Sequence, residues 1–163
     1  MSAAFLQSRA LIGSRLAAMP STTSSQAEIR AFLDSRSEAI WTKDLDRLLS
    51  FYSPDIVYFD IVPPLQYLGS AALRERFAHW FDGFEGSIGQ RIHDLTIKTS
   101  GDLAVASMLI RAGGTRTNGH EVEFWVRATS TFQRSANGWL ITHEHVSLPA
   151  DLQSGTAVTN LAP

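Results

Sequence analysis

The chain of 163 residues has no cysteine, so neither disulfides nor thiolate metal sites come into question and the redox compartment stays open. Charge is scarce as well, with 18% charged residues. The net charge is −2 and the lysines and arginines are scattered, so no basic stripe makes a case for nucleic acid or an anionic membrane as partner. No apolar run is long enough to span a bilayer, which makes a cytoplasmic location the default expectation. What is plentiful is apolar side chains, at 44%: the composition of one globular domain with a sizeable core.

Residues 1–24 read as an extension and linker. Arg9 and Arg15 stand there without an acid, as in an amphipathic targeting segment, while Phe5, Leu6, Leu11, Ile12 and Leu16 can equally form the stripe of a short helix. Met19 offers an alternative start, and Pro20 to Ser25 reads as a linker. Ser25-Gln26-Ala27-Glu28 has capping-box spacing, predicting a helix to about Lys43 with Ile29, Leu33, Arg36 and Ile40 on one face. Arg36 interrupts that apolar stripe, either snorkelling at its edge or serving a pocket. Asp44-Leu45-Asp46 opens a second short helix through Phe51. Ser53-Pro54-Asp55 then predicts a turn into a β-branched and aromatic strand that ends at Asp60 before Pro63-Pro64. Leu65 to Leu68 is a brief extended piece. Ser70 is placed to cap a third helix carrying Leu73, Phe77, Trp80 and Phe81, with His79 off the stripe and exposed.

Gly83, Gly86 and Gly89 predict a loop, after which the pattern changes to period 2. Residues 90–99, 103–112, 121–134 and 139–147 read as four strands, separated by Gly101-Asp102, Asn118-Gly119 and Asn137-Gly138 of hairpin type. Three helices and an antiparallel meander make an α+β arrangement. Residues 150–163 lack periodicity and read as a surface tail.

Asp60 is the first candidate for chemistry, because an acid at the end of an apolar strand is either solvated at the rim or held in a pocket where it can move protons. Strand alternation over 139–147 puts Trp139, Ile141, His143, His145 and Ser147 on one face and Leu140, Thr142, Glu144 and Val146 on the other. Two histidines at i, i+2 can contribute to a metal site, but a third ligand is lacking and Glu144 falls on the opposite face. They read instead as pocket or interface histidines, one of them a relay partner for Asp60, and no metal or cofactor is assigned. Arg127 can bind an anion or pair with Glu144. His93, in phase with Leu95 and Ile97, is expected to face inward.

The run Lys43-Asp44-Leu45-Asp46, Tyr52-Ser53-Pro54-Asp55, Asp60, Gly69-Ser70-Ala71-Ala72-Leu73-Arg74 and Gly138 to Pro149 resembles the SnoaL-like branch of the nuclear transport factor two superfamily. Ketosteroid isomerases, scytalone dehydratase and polyketide cyclases are members. The resemblance covers residues 25–149. It implies a strongly curved antiparallel sheet wrapped around helices into a cone, a cystatin-like roll, with an apolar pocket at its open end. It further implies a homodimer formed through the sheet and an apolar small-molecule ligand. By position Asp60 matches the general base of the ketosteroid isomerases. Their oxyanion donors do not carry over, since Arg36 stands in place of a phenol and Ser130 in place of a protonated aspartate, which argues against steroid isomerisation itself.

The sequence therefore points to an isomerase, cyclase or dehydratase acting by general acid/base proton transfer on an apolar carbonyl compound. Asp60, His143 and His145 are its candidate catalytic residues. Arg36, Trp41, Tyr58, Arg127, Ser130 and Ser147 are candidate ligand contacts. The alternative is a non-catalytic ligand-binding or dimerisation domain of the same fold.

Overall fold

The structure, a computed structural model, describes residues 21–163, so the expectations for residues 1–20, the extra helical segment among them, lie outside the described residues. The first helix, α1 (Thr22–Trp41), starts earlier than its capping box suggests. Ser21 is the cap, its hydroxyl accepting from the Ser24 N–H, while Ser25 is buried within the helix and accepts from Arg134 instead. Four residues of the expected linker are thus helical. Ile29, Leu33, Arg36 and Ile40 do form the buried face.

A short α2 (Leu45–Leu49) is capped by the Asp44 side chain, and β1 (Tyr52–Phe59) follows directly. Ser53-Pro54-Asp55 lies inside β1 rather than in a turn. The parallel pairing of β1 slips between Tyr52 and Val57, and that irregularity accommodates a proline that cannot donate to a ladder. After β2 (Tyr67–Leu68), α3 (Gly69–Asp82) begins without a side-chain cap, so Ser70 does not play the capping role. Lys43 reaches from the end of α1 to the carbonyls of Phe81 and Phe84, tying down the end of α3.

The rest is the meander: β3 (Phe84–Ser100), β4 (Leu103–Arg116), β5 (Glu121–Ser135) and β6 (Gly138–Ser147). The expected glycine loop is the first part of β3. Gly86, at φ +62°, sits where the β3–β4 register shifts between Glu85 and Gly89, so the glycines mark a bulge and not an exit from the sheet. The sheet order is β2-β1-β6-β5-β4-β3, antiparallel throughout except for the parallel β1–β6 pair. The curled sheet packs one face on α1 and α3 around a core that includes Leu33, Ile56, Leu73, Phe77, Ile110 and Phe132. The final stretch carries a small hairpin, β7 (Ala150–Asp151) with β8 (Thr156–Ala157), almost wholly exposed. No helix of the described residues is long and apolar enough to cross a membrane.

Candidate functional site

A one-residue irregularity decides which side chains face the interior. In the β5–β6 pairing Phe132 opposes Ile141 and Thr131 opposes His143, so Thr142 is an extra residue without a partner. A bulge of this kind inverts the alternation beyond it. Trp139 and Ile141 point inward as expected, but from there on Glu144 and Val146 face inward, while His143, His145 and Ser147 pair with Thr131, Thr129 and Arg127 on the outer face. Asp94, at φ +51°, sits in a second register shift between His93 and Thr96. It turns His93 outward against the Trp125 ring, at 4.7 Å between centroids, while Leu95 and Ile97 stay inward.

Glu144 is completely buried and is met from three sides. The Arg36 guanidinium lies 3.0 Å from Oε2, the Tyr52 hydroxyl donates to the same oxygen at 2.9 Å, and the Ser130 hydroxyl donates to Oε1 at 2.8 Å. Arg36 also donates from Nε to the Tyr52 hydroxyl at 2.8 Å. Burial works against the Arg36 charge, but Glu144 and the adjacent phenols more than offset it and hold the guanidinium above its ordinary value. Burial pushes the phenols of Tyr52 and Tyr58 well above theirs, with Glu144 adding to the effect in both and Asp60 in Tyr58, so both stay neutral donors.

Asp60 follows β1 immediately and faces the same interior as Ile56 and Tyr58. Its side chain is 5% exposed, with Oδ2 accepting from Arg76 Nε of α3 at 2.6 Å and Oδ1 accepting from the Ile61 N–H at 2.6 Å. Each carboxylate oxygen keeps a further lone pair for a substrate proton. Asp60, Tyr58, Arg36, Arg76 and Gln90 line one small cavity of about 60 Å³, closed otherwise by Phe77, Trp80, Ile110, Val126 and Val146. The arrangement is a carboxylate base and two proton donors in an apolar enclosure, which is suited to moving a proton on an uncharged molecule.

Of the residues singled out in the sequence, the structure brings together Asp60, Arg36 and Tyr58. Ser130 stands behind them, spending its hydroxyl on Glu144. His143 and His145 flank Phe59 on the outer face, with ring centroids 4.9 and 5.7 Å away, and His143 Nδ1 is 2.9 Å from the Val57 carbonyl oxygen. Arg127 does not pair with Glu144: it is exposed and donates to the Ser147 hydroxyl and the Leu148 carbonyl. Trp41 is 56% exposed and borders a different groove with Arg91 and Arg111. The sequence reading missed Arg76, Glu144, Gln90 and Tyr52. Arg76 carried a signal, since it breaks the apolar stripe of α3 as Arg36 breaks that of α1.

The profile of the SnoaL-like domain matches residues 29–151. No curated protein matches the chain. Among solved structures, an NTF2-like protein of unknown function from Pseudomonas putida is 29% identical over 87% of this chain and 99% of its own, with a TM-score of 0.80. A ketosteroid isomerase-like protein from Erwinia carotovora atroseptica is 20% identical over 74% of this chain and 93% of its own, at a TM-score of 0.64. A protein with a cystatin-like fold from Caulobacter vibrioides is 14% identical over 80% of this chain and 92% of its own, at 0.65. These last two are alike in fold alone.

Proposed function

Since the chain belongs to the SnoaL-like domain family, within the superfamily of NTF2-like and ketosteroid isomerase-like proteins, we propose that it is a general acid/base catalyst acting on an enolisable carbonyl compound. Asp60 takes the proton next to the carbonyl and returns it. Arg36 and the neutral Tyr58 phenol supply hydrogen bonds to the oxygen on which negative charge develops. The observation that carries this reading is the convergence of Asp60, Tyr58 and Arg36 on one cavity otherwise walled by apolar side chains. A cavity of about 60 Å³ does not hold a polycyclic molecule, which supports a smaller substrate than a steroid.

The test is deuterium wash-in from D₂O into simple enolisable ketones, followed by NMR. Wild-type protein is expected to accelerate exchange next to the carbonyl, and Asp60→Asn to lower that acceleration by about 10²-fold or more. Equal rates in the two proteins would remove Asp60 from the mechanism. One observation favours a second reading, a non-catalytic binding domain: Asp60 is already engaged by Arg76 at 2.6 Å. That reading expects ligand binding without exchange. Either way the outer sheet face, with Phe59, Trp125, His143 and His145, is where we place a second copy of the chain, and the mass of the protein in solution tests this placement.

A further inference from the structure

Four buried side-chain polar atoms have no partner among the described residues, Thr99 Oγ1 and Arg134 Nε among them, and the other two are Arg36 Nη1, a donor, and Gln90 Oε1, an acceptor. Both residues line the Asp60 cavity, and Arg36 is only 3% exposed. Buried polar groups are ordinarily paired, so an unpaired donor and an unpaired acceptor on residues lining one cavity describe the occupant that would satisfy them. It must accept from Arg36 and donate to Gln90. A simple ketone lacks the proton for Gln90, and so does a carboxylate anion. A ketone with a hydroxyl on the adjacent carbon has both groups.

The cavity, about 60 Å³, has room for such a head and little more. Arg76, however, lines this cavity and also an outer groove of about 640 Å³, whose apolar side is Pro64, Tyr67, Leu68 and Ala72 and whose polar side carries Glu75 and His79. The side chain that holds Asp60 is therefore part of the wall between a small inner compartment and a larger outer one.

We propose that the two compartments together bind a small hydroxy ketone, its head between Arg36 and Gln90 and its apolar body in the outer groove, with Arg76 displaced from Asp60 as the ligand enters. This rests on the proton-transfer reading of Asp60 and names its substrate class. Substrate entry and exposure of the base become one event. Asp60 takes the hydrogen from the carbinol carbon, and the C–H electron pair becomes the carbon–carbon double bond of an enediolate. The former carbonyl oxygen carries the charge opposite Arg36, and the Asp60 proton returns to either carbon. Nothing else is consumed. Return to the original carbon exchanges the hydrogen, and return to the other, with the hydroxyl proton passed between the oxygens, interconverts the two hydroxy carbonyl isomers.

The probes are 2-hydroxyacetophenone and acetophenone, which share a phenyl body and differ by one hydroxyl. Calorimetric titration of the wild-type protein is expected to show about tenfold tighter binding of the hydroxylated probe. Gln90→Leu should shrink the preference to within twofold, whereas Gln90→Glu, which keeps an acceptor at that place, should retain most of it. Equal affinity of the two probes for the wild type overturns the proposal. So does a preference that survives Gln90→Leu, or binding of neither probe, which would leave a cavity for water alone. Deuterium wash-in at the carbinol carbon separates this inference from the reading it rests on. A hydroxyl preference without exchange removes the catalytic reading and keeps the ligand class, while exchange without the preference removes the ligand class and keeps Asp60 as base.

Discussion

Arg36 and Glu144 are 108 positions apart in the chain and meet at 3.0 Å in the core, with side-chain exposures of 4% and 0%. A charge pair so placed is asymmetric in its energetics. Removing one partner strands the other in a medium that cannot solvate it, whereas replacing the whole group by apolar residues of similar volume removes the desolvation cost along with the attraction. Glu144→Gln is therefore expected to lower stability by about 3–5 kcal/mol in urea unfolding. Combining Arg36→Met, Tyr52→Phe, Ser130→Ala and Glu144→Leu should recover most of that loss. A single-variant cost below about 1 kcal/mol would mean that water reaches the pair.

The two buried phenols set a limit at alkaline pH. Tyr52 and Tyr58 have folded values well above the ordinary 10.0, with burial as the largest cause. The unfolded chain loses these protons first, so the folded state holds more protons above that pH. The stability they contribute is fully present below about pH 10 and is lost as pH rises from there toward the folded values, by up to about 1.4 kcal/mol per unit for each phenol. Urea midpoints should be flat with respect to these groups up to pH 9 and fall above 10. Tyr58→Phe is expected to flatten the alkaline limb by its share, and an unchanged limb would mean that the Tyr58 hydroxyl reaches solvent.

Most of the architecture was legible because it is written in periods. The helical stripes Ile29-Leu33-Arg36-Ile40 and Leu73-Phe77-Trp80-Phe81, and the four period-2 runs, are each repeated often enough to survive local exceptions. The faces of β6 and β3 were not legible, because a bulge is a single added residue whose effect appears only in the partner strand's register. Thr142 carries no mark of its own role. Asp94 carries a weak one, since aspartate tolerates positive φ better than most residues. The site was half legible for the same reason. Asp60 lies beyond the irregularity of β1 but in phase with the buried Ile56 and Tyr58 and kept its face, whereas the histidines beyond Thr142 lost theirs to Glu144. A better signal lay in the helices: an arginine inside an apolar stripe needs a buried carboxylate, and both Arg36 and Arg76 found one.

The inverted face of β6 yields a clear expectation for the histidines. His145 is exposed and His143 lies beside Phe59 outside the sheet, so neither borders the Asp60 cavity. His143→Ala and His145→Ala should each leave ketone exchange within about twofold of wild type, and neither should shift its pH profile. His145 should also react readily with diethyl pyrocarbonate in the folded protein. Loss of exchange in His145→Ala, with the fold intact by circular dichroism, would put that ring back in the pocket and contradict the bulge.

Where β4 and β5 run together, Gly113 is opposite Glu123 on one side and Gly89 on the other. A Cβ at Gly113 would stand 2.5 Å from the Val122 carbonyl oxygen and 3.2 Å from the Glu123 Cα, both backbone atoms held by the ladder. Since neither strand can recede without breaking hydrogen bonds to its neighbours, Gly113→Ala forces a local shift of the sheet and is expected to cost about 1–3 kcal/mol. Gly119 makes a useful contrast: it sits in a turn at φ +81° with nothing within 4 Å of an added Cβ, so Gly119→Ala meets only the backbone penalty of about 1–2 kcal/mol. The two differ in kind as well as size. A strained turn loosens locally, while a spread ladder alters the curl of the strands that carry Ile110 and Val126 into the cavity wall. Gly113→Ala should therefore weaken ketone exchange as well as stability, and Gly119→Ala stability alone. Equal exchange rates in both variants would show that the curl at Gly113 is not transmitted to the site.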